Sequence, residues 1–312
     1  MQLPRYSALR AELKQPAPDL SAFSVFNLGR GGCSHGTYRV RSKRYGAVVA
    51  VKVAFKAEHL KHSKREYELL KGIRHPNIRN CFAKPSCRGN ISWLVQEFAP
   101  GLDLGELLID HTPPLPQRRH ASMPPQLANC RYVATCVLRA LHCLHVNSIV
   151  HNDLTLDNVI VNAANLVSPL PENTSVKLID FGLACWEKDL PTRGFCGTPP
   201  YSAPEKSIGR SLDRSCDIFN YGILLYAILQ SAFPYVWDRD TDPDKRYNIM
   251  CKGIATCRRQ VQESDIGALA FMECKAVLLN TIRLEAMHRP SAAWLLSEFD
   301  FFNLEQPLHA LP

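Results

Sequence analysis

The chain has 312 residues, 46% of them apolar and 21% charged, enough to bury a sizeable core in one large domain or two lobes. Twelve cysteines are scattered without a CxxC pair and no charged-then-apolar leader opens the chain, so a reducing cytoplasmic or nuclear setting is expected rather than a disulfide framework. The net charge of +8 is spread out, its densest clusters (KHSKR and QRRH) lack interleaved aromatics, and the most apolar window, Ile218 to Leu229, is too short for a bilayer, which argues against a dedicated nucleic-acid site and against membrane insertion.

Residues 1 to 20 read as a tail. From Phe23, the runs FSVFNLG, YRVRSK and AVVAVKVAF are β-rich and separated by glycine-bearing turns, the pattern of an antiparallel meander. EHLKHSKREYELLKGI carries leucines and a tyrosine at helical spacing and closes at Arg74-His75-Pro76-Asn77. Two more strands are expected, around Arg79 to Lys84 and Ile91 to Phe98. Beyond Asp103 the pattern turns helical: LGELLID, a proline-rich loop from Thr112 to Pro125, then the amphipathic QLANCRYVATCVLRALHCLH. The polar stretches Asn162 to Ser175 and Asp238 to Lys245 read as surface insertions. The expected fold class is α+β: a small antiparallel sheet lobe with one main helix over 21–98, a larger mostly helical lobe over 99–302, and a short tail at 303–312.

Four constellations carry chemistry, and each also has an ordinary structural reading. LGRGGCSHGTY sets Gly29, Gly31, Gly32 and Gly36 between two strand-like runs, where glycine lets backbone N–H groups close over phosphates. Alone it is a turn, and it fits G-x-G-x-x-G imperfectly because Ser34 or Cys33 falls at a glycine position. Lys52 in Val49-Ala50-Val51-Lys52 is a solvated strand lysine unless Glu66, on the next helix, holds its ammonium toward a phosphate. HNDLTLDN, His151 to Asn158, spaces Asp153 and Asn158 either to aim a hydroxyl and a metal or to punctuate a polar loop. VKLIDFG delivers Asp180 from an apolar strand into a glycine turn, as a hard-cation ligand or as a turn former.

Taken in order, Gly29/Gly31, Lys52, Glu66, His151/Asp153/Asn158, Asp180-Phe181-Gly182 and Ala203-Pro204-Glu205 resemble the signature set of the eukaryotic protein kinase superfamily, over about residues 23 to 302. The resemblance implies a bilobal fold with ATP between the lobes. Gly29, Arg30, Gly31, Gly32, Cys33 and Gly36 would lie over the phosphates, Lys52 would meet the α/β-phosphates, and Asp180 and Asn158 would hold Mg2+, with Mn2+ as the alternative ion. Asp153 would orient the attacking hydroxyl of a protein substrate. Gln96-Glu97-Phe98-Ala99 resembles the adenine-gripping hinge, with Gln96 controlling the back pocket and Leu28, Ala50 and Val159 or Ile160 walling the base. GTPPYSAPE, Gly197 to Glu205, is similar to the peptide-docking segment of Ser/Thr kinases, where Thr198 matches the residue that contacts the catalytic Asp. The resemblance also pairs Glu205 with Arg289 and Asp217 with the catalytic loop. Asp103 and Asp157 match positions that read an upstream arginine in basophilic members, or are solvated carboxylates. Small-molecule kinases share the HxD…N loop but generally lack the Ala-Pro-Glu segment with its arginine.

Three positions depart from the family pattern. Asn152 stands where many members have arginine before the catalytic Asp. Gly194 lies two residues before Cys196, where relatives carry a phosphorylated threonine, so activity without activation-loop phosphorylation is expected, Thr192 remaining as a site. Thr155 replaces the lysine that neutralises the γ-phosphate, and Asp157 stands where tyrosine kinases put an arginine. The loop therefore leaves two readings: a Ser/Thr kinase of reduced rate, or a nucleotide-binding pseudokinase scaffold. Cys185 and the histidines at 142, 145 and 151 are expected to be packed structural residues rather than reactive or metal-binding ones.

Overall fold

A computed structural model describes residues 23–28, 36–43, 46–54, 57–88, 91–109, 123–162, 175–190, 197–208, 211–230, 232–235, 243–263 and 269–304. The 1–20 tail, Gly29, Arg30, Gly31, Gly32, Cys33, Thr192, Gly194 and Cys196 lie outside the described residues, as do most of the proline-rich loop, of the insertion after Asn162 and of the 303–312 tail. The chain divides into two compact units: one runs to Pro100 and takes in Ile179–Gly182, and the other comprises Gly101–Leu178 and the residues from Leu183 onward.

The first unit is built on an antiparallel sheet of order β1-β2-β3-β5-β4. Its strands are β1 (Phe23–Asn27), β2 (Gly36–Ser42), β3 (Val48–Ala54), β4 (Ser86–Arg88) and β5 (Ile91–Glu97). Successive strand side chains alternate faces. Val49 and Val51 therefore join Val40, Ala47, Ala83 and Val95 in a core edged by Tyr38, Phe82 and Trp93. Ala50, Lys52 and Ala54 share the other face, where the small alanines leave room for Lys52 to reach Glu66 on helix α1 (Ala57–Leu70).

The strand expected at Arg79 to Lys84 is displaced. That segment makes only a single bridge, Cys81 opposite Gln96, flanked by Glu97 N–H donating to Asn80 O (2.8 Å) and Phe82 N–H to Val95 O (3.0 Å). The continuous ladder lies beyond Pro85, which has no N–H to donate, and is set by the hairpin register pairing Arg88 with Ile91.

In the second unit a small sheet of order β6-β8-β9, from Leu102–Asp103, Val159–Val161 and Val176–Leu178, brackets the HNDLTLDN loop, while β7 (Ile149–Val150) pairs with β10 (Cys185–Trp186). Helices α2 (Leu104–Ile109), α3 (Met123–Val146), α4 (Pro204–Ser207), α5 (Ser215–Gln230), α6 (Pro243–Glu263), α7 (Leu269–Thr281) and α8 (Ala292–Glu298) make up the rest. The α+β class follows. Two boundaries differ from expectation. Pro124 and Pro125 belong to the first turn of α3 rather than to the loop, and Pro243 opens α6 inside the expected insertion. Both changes have one cause, since a first-turn proline gives up an N–H that has no intrahelical acceptor.

The apolar window is α5, buried on nearly every side, and no helix among the described residues is long and apolar enough to cross a membrane. Arg131 of α3 holds the far end of this unit, donating to the carbonyls of Phe301 (2.6 Å), Asp300 (3.1 Å) and Asn303.

Candidate active site

Strand β3 delivers Lys52 into a buried charge cluster in the first unit. Its Nζ lies 3.2 and 3.1 Å from the two oxygens of Glu66 and 2.8 Å from Asp180 Oδ1. Burial opposes the ammonium charge, but the carboxylates of Glu66 and Asp180 outweigh it and hold the Lys52 pKa above the ordinary lysine value. Glu66 is fixed by further donors, accepting from Gln96 Nε2 (2.7 Å) and the Phe181 N–H (3.4 Å). Asp180 sits at φ 56° and accepts from the Gly182 N–H (3.1 Å), so the turn itself aims the carboxylate.

The remaining expected nucleotide residues of this unit lie on the strands of the sheet or just past their ends. Gln96 is opposite Ala50 in the β3–β5 ladder, and both are fully buried. Ala99 is buried, Glu97 is turned to Asn80 (Nδ2 2.8 Å), Gly36 opens β2, and Leu28 is 48% exposed where β1 ends. Arg79 is an unexpected member. It is 5% exposed, its Nε has no hydrogen-bond partner among the described residues, and burial lowers its pKa against the pull of Glu66, Asp180 and Glu97. Its position was readable in one respect: it precedes Cys81 by two residues, so the same face that meets Gln96 carries the guanidinium.

In the second unit the HNDLTLDN loop is held by Asp217 of α5. This fully buried carboxylate accepts from the N–H groups of His151 and Asn152 (both 2.8 Å) and from His145 Nε2 (3.0 Å). Burial alone would raise its pKa, but the hydrogen bond and charge of His145, with help from His151 and the Asn152 N–H, hold it below the ordinary aspartate value. Asp153 Oδ1 accepts from both the N–H and the hydroxyl of Thr198 (2.8 Å each), and Asn158 Nδ2 donates to the Asp153 carbonyl (2.9 Å). Thr155 is 3% exposed. Glu205 and Arg289 form the expected two-pronged pair (2.7 and 2.8 Å), with Arg289 Cζ 4.9 Å from the Phe219 ring centre.

Lys206 was not anticipated. It is 3% exposed and donates to the Asn152 carbonyl (2.9 Å), while Asn152, at φ 67°, donates its own amide to the Leu183 carbonyl (3.2 Å). Its place directly after Ala203-Pro204-Glu205 was the available signal. Asp103, Asp153 and Asp157 gather in the same unit: burial, then Asp103 and Asp153, raise the Asp157 pKa. Gly105 makes that approach possible, since a Cβ there would fall 2.5 Å from Asp157 Oδ1 and 3.1 Å from Asp103 Oδ1.

Residues 24–300 match the protein kinase domain. The chain belongs to the protein kinase family. Its relatives are of the serine/threonine type. It is similar to the RasGEF domain-containing serine/threonine-protein kinase X of Dictyostelium discoideum, 33% identical over 205 residues, 63% of this chain and 19% of that protein. Human serine/threonine-protein kinase D2 is 32% identical over 219 residues (69% and 23%), and bovine serine/threonine-protein kinase 33 is 26% identical over 239 residues (74% and 44%). The chain thus spans less than half the length of each of these relatives.

Proposed function

We propose that this kinase domain binds Mg-ATP and transfers its γ-phosphoryl group to serine or threonine hydroxyls of proteins. The observation that carries this reading is the buried Lys52 ammonium, held by both Glu66 and Asp180. A lysine so placed keeps its charge at every physiological pH and is aimed by a carboxylate rather than by solvent.

When bound, Mg-ATP supplies the phosphoryl group and the cation that offsets its charge. Asp180 in the first unit and Asn158 in the second each offer a hard oxygen, the donor type that Mg2+, or Mn2+ in its place, takes alongside phosphate oxygens. The segment Gln96 to Ala99 would hold the adenine against Ala50 and Leu28. Thr198 occupies one oxygen of Asp153 through two hydrogen bonds, which leaves the other to orient the substrate hydroxyl and take its proton.

Asp217, Lys206 and Leu183 together engage the main chain and side chain of Asn152, which brings no charge to meet a phosphate, and this supports activity independent of activation-loop phosphorylation. Thr155 supplies no charge to the transferring group, so turnover is lower by about 10²- to 10³-fold than with a cation there. That same residue favours a second reading, a nucleotide-binding pseudokinase scaffold.

The deciding experiment incubates purified protein with Mg-ATP and a generic basic protein. Transfer that Asp153→Ala abolishes supports the kinase. Nucleotide uptake without transfer selects the scaffold, and absence of nucleotide uptake rejects both.

A further inference from the structure

The second unit carries an open groove of about 540 Å3, lined by Arg258, Arg259 and Gln262 of α6 and by Arg283, Glu285 and His288 of the segment that follows α7. Part of this charge has an internal cause. Arg258 Nη1 donates to the carbonyls of Leu279 (2.5 Å) and Ile282 (2.9 Å), and Arg283 Nε donates to the same Leu279 carbonyl (3.3 Å). Both guanidinium groups are thus drawn to the negative end of α7, an ordinary helix cap.

The cap explains why the arginines meet but does not neutralise them. It engages Nη1 of Arg258 and, with a bond from Arg283 Nη2 to Asn280 Oδ1 (2.6 Å), two nitrogens of Arg283. Burial lowers the Arg258 pKa and the neighbouring Arg283 lowers it further, against a smaller pull from Cys257. Arg259 is exposed at the rim. Among the described lining residues, three arginines less Glu285 leave an excess of two positive charges with His288 neutral.

We propose that this groove docks a phosphorylated segment of a partner protein, its phosphate received by Arg258, Arg259 and Arg283. A phosphate monoester brings about −1.5 to −2 charges and three acceptor oxygens, which matches the excess in size and the guanidinium forks in geometry. A single glutamate would leave half the excess unmet. The groove also exposes the aliphatic side chains of Ala255 and Leu284, which suit an apolar neighbour of the phosphorylated residue. No aromatic ring is among the described residues that line it, and stacked rings are what single-stranded nucleic acid needs. This site is separate from the proposed phosphotransfer residues and does not depend on them.

The test uses the full chain and fluorescent nine-residue peptide pools, randomised around a central phosphoserine or around serine, read by anisotropy. The phosphoserine pool is expected to bind and the serine pool not to. Arg259→Glu, at an exposed position, is expected to weaken binding at least about tenfold, the size of a lost charge-assisted pair, and Arg283→Gln to weaken it as well. Melting curves check that each variant is folded, and transfer to a short unphosphorylated basic peptide should be unchanged in Arg259→Glu. Equal binding of the two pools, no binding of either, or wild-type affinity in both variants overturns the proposal. So does a single-stranded oligonucleotide that displaces the peptides and loses affinity in the same variants, which would make the groove a nucleic-acid site.

Discussion

Asn152 stands where many family members have an arginine before the catalytic aspartate, and Lys206 is the cation that meets its main chain here. A buried ammonium is costly unless hydrogen-bonded, and Lys206 directs one of its three donors to the Asn152 carbonyl, one residue from Asp153. Lys206→Met is therefore expected to lower kcat about tenfold while the KM for ATP stays unchanged, because the nucleotide contacts proposed above do not include that carbonyl. Steady-state kinetics with varied ATP separates the two effects. Asp217 gives a pH signature. Its pKa is depressed in the folded chain, so its stabilisation is complete above the unfolded value near 3.9 and is lost as pH falls through the lower folded value. Thermal midpoints of the wild type should fall more steeply below about pH 4 than those of Asp217→Asn, which lacks the titrating group. The pairs of Lys52 with Glu66, Glu205 with Arg289 and Asp217 with the loop were legible in the sequence because each is a charged residue in an ordered motif. Arg79 and Lys206 left only a positional signal, because a cation's partner is chosen by tertiary contact, which spacing from Cys81 or from Ala203-Pro204-Glu205 does not specify.

At the scale of elements, period-two patterning placed β3 and its neighbours well, since one slip would have put Lys52 on the wrong face. It failed at Arg79 to Lys84, where the apolar run Cys81-Phe82-Ala83 reads as a strand although Pro85 and the Arg88–Ile91 hairpin move the ladder downstream. Proline misled it at Pro124 and Pro243, where it opens a helix instead of marking a loop. The α5–α7 contact was not legible at all, because it depends on one glycine. A Cβ on Gly222 would lie 2.5 Å from Thr281 Oγ1 and 2.8 Å from Ile282 Cγ1, and the Thr281 hydroxyl is tied to the Val277 carbonyl (2.9 Å) and cannot easily turn away. Gly222→Ala is expected to destabilise the domain by about 1–3 kcal/mol through overpacking, measured as a shift in the urea midpoint. Adding Thr281→Ala should restore part of the loss but not all, since Ile282 still crowds the new methyl group.

For the molecule as a whole, a net charge of +8 makes any concentrated acidic site conspicuous. Asp103, Asp153 and Asp157 form one, and the rise in the Asp157 pKa records burial and like-charge repulsion that an incoming cation relieves. An arginine upstream of the phosphorylated residue is the cation a protein substrate can bring. Asp157→Asn and Asp103→Asn should each lower kcat/KM for peptides with upstream arginine by about tenfold, with little change for peptides that lack it, because a charge-assisted contact adds about 1.5–3 kcal/mol only where both partners exist. The sign with pH follows from the same shift. As pH falls through the raised Asp157 pKa that carboxylate becomes neutral, so the preference for arginine should fade in acid before that of a carboxylate with an ordinary pKa would. A peptide array read at neutral and mildly acid pH measures this directly, and an array with no arginine preference at either pH would return Asp103 and Asp157 to the status of solvated surface carboxylates.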